Sequence, residues 1–250
     1  MRRFALVTPS APSASTHPSL EGGRESGEGQ PFGGDAERER DLILGELAHD
    51  LRAPLQAIAL GIGIVARAGP SDAVVSQLRS VVKRMERMID QLLDFARARN
   101  GAIQLARRPV VLAALCREVI AEMRLAYPRR ALWFAPGPAD VCGEWDPDRL
   151  AQVVRNLLSN ALKHGDRESP VFLAIRDDGD AAELSVANRG APIPEELRAH
   201  LYEPFRRGGS GNGAGLGLYI VDQIVHAHGG SVELRSDATT LFTVTLPKQR

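Results

Sequence analysis

The sequence lacks most of what marks a secreted, membrane-spanning or nucleic-acid-binding protein. Only two residues are cysteine, Cys116 and Cys142, in neither a CxxC nor a metal-type spacing. They read as two reduced, structural thiols, which points to a cytoplasmic protein. The longest apolar run, 57–66, has ten residues, against the roughly 18 that a bilayer span requires, and predicts no membrane span. At the amino terminus two arginines precede an apolar patch too short for the core of a signal peptide. Charge of one sign is missing too: 31 basic and 31 acidic residues cancel, leaving no field for nucleic acid or an anionic membrane. Apolar residues at 44% of the 250 still suffice for a packed core. That length holds about one or two domains.

Composition divides the chain. Residues 1–35 are dense in Ser, Pro and Gly and read as a disordered tail, in which His17 is a solvated residue. Beyond it Leu44, Leu47, Leu51, Leu55, Ile58, Ile62 and Val65 recur at steps of three and four, the stripe of a long helix. A break at AGPSD, with Ser71 as a cap, precedes a second stripe from Val74 to Phe95. The pattern predicts an antiparallel helical hairpin over 36–103, and pairing two copies into a dimeric four-helix bundle would bury its apolar stripe. Pro54, Gly61 and Gly63 inside the first helix predict a bend and a segment that flexes.

After Pro109 the pattern mixes. Helices are predicted over 112–126, 148–163 and 216–228, and strands over 131–134, 171–175, 183–187, 231–234 and 242–246. The fold class expected is α+β, with an α/β sandwich over 109–250, its helices on one face of a mixed sheet.

Five stretches carry chemistry. ELAHDLRAPL, 46–55, sets His49, the side chain most easily made nucleophilic near neutral pH, beside Asp50, a partner able to orient and activate it. RLAQVVRNLLSNALKHG, 149–165, puts Asn156 and Asn160 four residues apart on one helix face, followed by Lys163 and His164. Amide oxygens can ligate a hard cation and the lysine can meet a phosphate, although two solvated asparagines would give the same pattern. VANRGAPIP, 186–194, and EPFRRG, 203–208, lead to GNGAGLGLYIV, 211–221, whose glycines let backbone N–H groups approach a phosphate ahead of a helix N-terminus. This glycine run does not follow a strand directly, which argues against a dinucleotide-binding turn. His226 and His228, at i and i+2 in a helix, point to different faces and read as structural. Trp133 and Trp145 read as packing residues.

Taken in order, these boxes over about 38–247 resemble the kinase core of the bacterial two-component sensor histidine kinases. The resemblance implies a dimerisation and histidine-phosphotransfer hairpin followed by a gyrase-like ATP-binding domain. It implies that His49 accepts the γ-phosphoryl group of ATP with Asp50 as its base, and that the group passes to an aspartate of a response regulator. Asn160 and Asn156 would hold Mg²⁺. Lys163, His164, Asn188, Gly190, Arg207, Gly213, Gly215, Leu216 and Gly217 would hold the nucleotide, with 205–217 forming a lid. The partners implied are a second copy of the chain and a response regulator, with a separate sensor protein as one route for the signal.

Three positions depart from the family pattern. Asn188 stands where an adenine-binding aspartate is usual, and Thr239-Thr240 where Gly-Thr is common. Ala53 replaces the Thr or Asn that positions water for dephosphorylating the regulator, so weak phosphatase activity is expected. Two alternatives stay open on residues alone: a non-catalytic binding module of the same fold, which Asn188 favours, and a gyrase-like ATPase or protein-serine kinase, which leaves the His49 hairpin unexplained.

Overall fold

The structure, a computed structural model, describes residues 34–99, 103–138, 141–205 and 215–248. The chain forms two units, Met1–Glu39 and Arg40–Arg250, and the second carries every element below except the amino-terminal end of the first helix. The tail reading of 1–35 falls almost wholly outside the described residues.

Helices α1 (Gly34–Ala68) and α2 (Asp72–Arg99) form the hairpin. Its turn is local chemistry: Gly69 adopts the left-handed conformation, φ 75°, and its N–H donates to the Val65 carbonyl at 2.9 Å. Ser71 then caps α2, its hydroxyl accepting from the Val74 N–H at 3.4 Å. Helix α1 runs through Pro54. Gly61 lies close against α2: a Cβ there would stand 2.6 Å from Leu78 Cδ2, so the Leu78 side chain would have to shift.

The membrane reading also changes. By length and composition Leu51–Ala68 is long and apolar enough to cross a membrane. The ten-residue run understated this, because isolated polar residues do not cancel the apolar excess of an 18-residue window. Within the hairpin, α1 leaves Leu55, Leu60, Ile62 and Ile64 exposed, as α2 leaves Val82, Ile89 and Leu93.

The remainder is the expected α+β sandwich. Strand β1 (Arg108–Val111) pairs antiparallel with β3 (Cys142–Trp145), and α3 (Leu112–Ala126) and β2 (Leu132–Ala135) lie between them in the chain. Then follow α4 (Pro147–His164), β4 (Val171–Asp178), β5 (Ala181–Arg189), α5 (Glu195–Arg198), α6 (Gly217–Ala227), β6 (Ser231–Ser236) and β7 (Thr239–Pro247). The larger sheet has the order β2-β4-β5-β7-β6, mixed because β2 runs parallel to β4 and every other pair is antiparallel. Strict alternation on β4, β5 and β7 sends Leu173, Leu184, Val186, Val244 and Leu246 to one face. There they meet α3, α4 and α6 through Ile120, Leu157, Leu158 and Ile224. Each such fully buried aliphatic side chain stabilises the sandwich by about 1.5–3 kcal/mol. The short elements β1, β3 and α5 were not among the predicted ones.

Trp145 is fully buried, its indole N–H donating to the Pro247 carbonyl at 2.9 Å. Trp133 is not a core residue: it is 61% exposed on the edge strand β2, edge-on to Phe172 at 5.6 Å. Both cysteines are free, Cys116 buried and Cys142 exposed, and burial pushes the Cys116 thiol up to about 12.

One acid organises the start of α4. Asp146 caps the helix by accepting from the Asp148 and Arg149 N–H groups at 3.0 and 3.1 Å, and also accepts from the Ala106 N–H at 2.9 Å. Its own N–H donates to Nε2 of His228 at 3.0 Å, and His228 Nδ1 donates to the Ile224 carbonyl at 2.8 Å. His228 is fully buried with both nitrogens satisfied in the neutral form, so its reading as structural stands. His226 turns instead to Asp222, 3.1 Å away.

Burial, and less strongly the charge of Arg107, holds the His228 imidazole below its ordinary value of 6.5. The unfolded chain therefore takes up this proton more readily than the folded one. The stability His228 contributes is fully present above pH 6.5 and is lost as pH falls below it. Urea unfolding of the wild type from pH 7.5 to 5 should show this decline, and His228→Gln should start less stable and decline less. His164, also held below 6.5 by desolvation and then by Lys163, should keep part of the slope in both proteins.

Candidate functional site

Among the described residues, two groups of the sequence-predicted positions come together in the sandwich. Asn156, Asn160 and Lys163 share one face of α4, at helical steps of four and three. The Asn156 amide donates to the Gly217 carbonyl at 3.2 Å, which ties α4 to the first residue of α6 and fixes the amide so that its oxygen is the atom presented to a ligand. Asn160 is half-buried one turn on. That donor set, two neutral amide oxygens on one face, fits a hard cation held mainly by phosphates and water. Among the described residues no group of three His, Cys, Asp or Glu offers an alternative metal site.

A second cluster gathers His164, Gly165, Asn188 and Gly190. Gly165 ends α4, its N–H donating to the Ala161 carbonyl at 2.9 Å. A Cβ at Gly165 would lie 2.4 Å from that same carbonyl oxygen and 3.0 Å from Asn188 Nδ2, and one at Gly190 would lie 3.1 Å from the His164 carbonyl. Both glycines are there for close approach. Asn188 is 7% exposed and donates through Nδ2 to the Arg189 carbonyl at 3.2 Å, leaving the amide oxygen as the atom that can accept a ligand's N–H.

Across the ladder from Asn188 stands Thr240, buried, its hydroxyl 3.0 Å from that of Ser236. Ser236 in turn accepts from the Ile193 N–H at 2.9 Å. The departure at Thr239-Thr240 thus leaves an ordered polar network beside Asn188. Sequence reasoning missed this pair, and the only signal was a threonine in a strand otherwise apolar on that face.

The segment predicted as a lid is described only at its ends. Arg207 and Gly213 lie outside the described residues. Both ends have left-handed backbone: Phe205 has φ 63° and Gly215 φ 67°. For glycine this is cheap, whereas for Phe205 it costs about 1–2 kcal/mol. Packing offsets that cost, since the Phe205 ring is 8% exposed and meets Phe95 of α2 edge-on at 5.1 Å, while Phe95 also contacts Tyr219 at 5.4 Å. Leu216, fully buried, seats the start of α6 and makes no side-chain cap there.

One residue before Phe95, Asp94 is 7% exposed and accepts from Arg149 Nη1 and from Gln152 Nε2, both at 2.6 Å. Sequence reasoning missed this contact, because a single acid in the α2 pattern carries no sign of a partner 55 residues away. His49 and Asp50 lie on α1, and their side chains fall outside the described residues.

Two family models match. Residues 39–101 match the His Kinase A (phospho-acceptor) domain and residues 145–250 the histidine kinase-, DNA gyrase B- and HSP90-like ATPase domain. The chain belongs to the two-component sensor histidine kinases. It is 37% identical over 226 residues to a bacteriophytochrome of Pseudomonas aeruginosa, covering 85% of this chain and 30% of that one. It is 31% identical to the sensor protein VanSC of Enterococcus gallinarum, covering 85% of this chain and 62% of the relative. The chain thus spans under two thirds of the length of these relatives. Among solved structures it resembles the histidine kinase ThkA in complex with the response regulator protein TrrA, with TM-score 0.62 and 25% identity, covering 85% of this chain and 64% of that one.

Gly165→Ala tests the tight corner. Its backbone, φ −73° and ψ 156°, is open to any residue, so only space opposes the change. We expect a loss of about 1–3 kcal/mol in urea denaturation, from overpacking against a carbonyl that cannot move without unwinding the end of α4.

Proposed function

We propose that this chain is the core of an ATP-dependent protein-histidine kinase that phosphorylates His49 and passes the phosphoryl group to an aspartate of a response regulator. One observation carries this reading: the hairpin that bears His49 is fastened through Asp94 to the first turns of α4, the helix with the Asn156–Asn160 face. The hairpin that bears the proposed acceptor and the helix with the Asn156–Asn160 face are thereby joined within one chain. The solved complex of ThkA with TrrA supports a response regulator as the partner.

In the proposed reaction a ring nitrogen of His49 attacks the γ-phosphorus of ATP, the bond from that phosphorus to the β-bridging oxygen breaks, and ADP leaves. Asp50 takes the ring proton. Mg²⁺, when bound, neutralises charge on the phosphates. Asn156 and Asn160 are the residues to hold it, and Lys163 and His164 lie along the same end of α4 toward the phosphates. Asn188, with Gly190 beside it, accepts from the adenine amino group. Gly213, Gly215, Leu216, Gly217 and Arg207 belong to the lid and the α6 terminus that close on the nucleotide. The protein's part is positioning and charge neutralisation.

A homodimer is part of the proposal. Its support is the apolar surface that one hairpin leaves uncovered, including Leu60 at 69% and Ile62 at 59% exposed. The same pairing accounts for the membrane-like composition of Leu51–Ala68.

Incubation with γ-labelled ATP and Mg²⁺ should give acid-labile, alkali-stable label that disappears in His49→Ala. No label at any nucleotide concentration would leave the non-catalytic module as the reading. Ala53 is exposed on α1 one turn after His49, and its methyl group cannot orient water. The wild type should therefore remove phosphate from a phosphorylated regulator slowly, and Ala53→Thr should speed that removal roughly tenfold or more. Rapid dephosphorylation by the unaltered chain would overturn this.

A further inference from the structure

The hairpin reaches the sandwich by two routes, and both end at the first turn of α4. The side-chain route crosses a cleft of about 350 Å³ between α2 and α4, where Asp94 holds Arg149 and Gln152. The covalent route is the linker that enters β1, residues 103–107, in which Ile103 packs on the core and the Ala106 N–H donates to Asp146.

The strand ladder explains why a side chain is needed at Asp146. Strand β1 pairs with β3 from Val111 opposite Cys142 to Arg108 opposite Trp145, and there the pairing stops. Beyond Trp145 the chain turns into α4 at Pro147, which has no N–H to give. The Asp146 carboxylate takes over as acceptor for the incoming linker, through Oδ2, at 2.9 Å from the Ala106 nitrogen. One residue on, Arg107 Nη2 donates to the carbonyl of Ala227, the last residue of α6, at 3.1 Å.

The two oxygens of Asp146 therefore have different partners. Oδ1 caps α4 by accepting from the Asp148 and Arg149 N–H groups, and Oδ2 holds the linker. Arg149 is thus fixed at its backbone by Asp146 while its guanidinium holds Asp94. A carboxylate suits both tasks at once, since a hydroxyl is too short to reach two sites and an amide has a single acceptor atom. Whatever shifts this turn also shifts the Asn156–Asn160 face. Helices α4 and α6 run antiparallel and are tied near both ends, by Asn156 to the Gly217 carbonyl and by the Asp146 N–H to His228, so they form a stiff pair.

We propose that Asp146 is a positioning residue for phosphoryl transfer: it locks the linker and the Arg149 contact onto one turn of α4, so that the hairpin bearing His49 and the Asn156–Asn160 face keep one fixed relation. This rests on the kinase reading above and extends it. Asp146 itself touches no nucleotide. Its linker contact aligns donor and acceptor, and losing that contact slows transfer without weakening nucleotide binding.

Asp146→Ser isolates the linker contact, because the serine hydroxyl still accepts from the first N–H groups of α4 and does not reach Ala106. In the full chain with Mg²⁺, this variant should bind the non-hydrolysable analogue AMP-PNP within about twofold of the wild type by calorimetry. Its KM for ATP should be unchanged, while kcat for labelling His49 falls roughly three- to tenfold. Amide exchange over 103–107, followed by mass spectrometry, should quicken in the same protein. Asp146→Asn also caps a helix but turns an NH₂ group toward Ala106, so it should behave alike, and it replaces the serine variant if the melt of that protein shows it unfolded. Wild-type kcat or unchanged amide exchange in a folded variant, or a loss of nucleotide affinity as large as the loss of kcat, overturns the proposal and leaves the kinase reading standing. A wild-type chain that takes no label overturns the kinase reading and this extension with it.

Discussion

A carboxylate that is 7% exposed has to be paired where it stands, and much of this molecule follows from how Asp94 meets that demand. An unpaired buried charge costs several kcal/mol, so α2 is drawn to whichever element can supply donors. Arg149 and Gln152, three residues apart on α4, do so together with bonds of 2.6 Å. Phe95 extends the same turn of α2 to Phe205 and Tyr219. Two adjacent residues of the hairpin thus hold the start of α4, the entrance to the lid and the first turns of α6. The cleft between α2 and α4 is the space left when side chains rather than backbones bridge the two helices.

The start of α4 has a matching economy. Asp146 satisfies the first N–H groups of α4 and is itself bonded to His228, so the helices bearing the Asn face and the lid terminus share one buried polar joint. At the other end of α4, Gly165 and Gly190 permit backbone to crowd Asn188. The strained backbone at Phe205 fits this picture. A left-handed phenylalanine persists because its ring is buried against another element.

The long helices were legible because their apolar periodicity runs over many turns, and the boxes around His49, Asn160 and Gly215 because each puts unusual residue types at fixed spacing. The extent of α3, from Leu112 to about Ala126, was legible because an apolar stripe runs along it. Other features were not legible for physical reasons. The close approach of Gly61 to Leu78 needs the partner helix in place, and the exposure of Trp133 follows from its strand being the sheet's edge. Thr240 and Ser236 gave no sign of meeting beside Asn188, because strand pairing had to bring them there.

By itself the sequence determined the hairpin, the α+β sandwich, the family and the residue types available for phosphoryl transfer, all of which depend on local periodicity and short-range spacing. Tertiary structure alone decided which of those residues share a space. The pairing of Asp94 with α4 and the docking of Phe205 on Phe95 join positions 55 and more than 100 residues apart. Such contacts are set by how whole elements pack and by the need to pair every buried charge, and neither quantity is written in any one stretch of the chain.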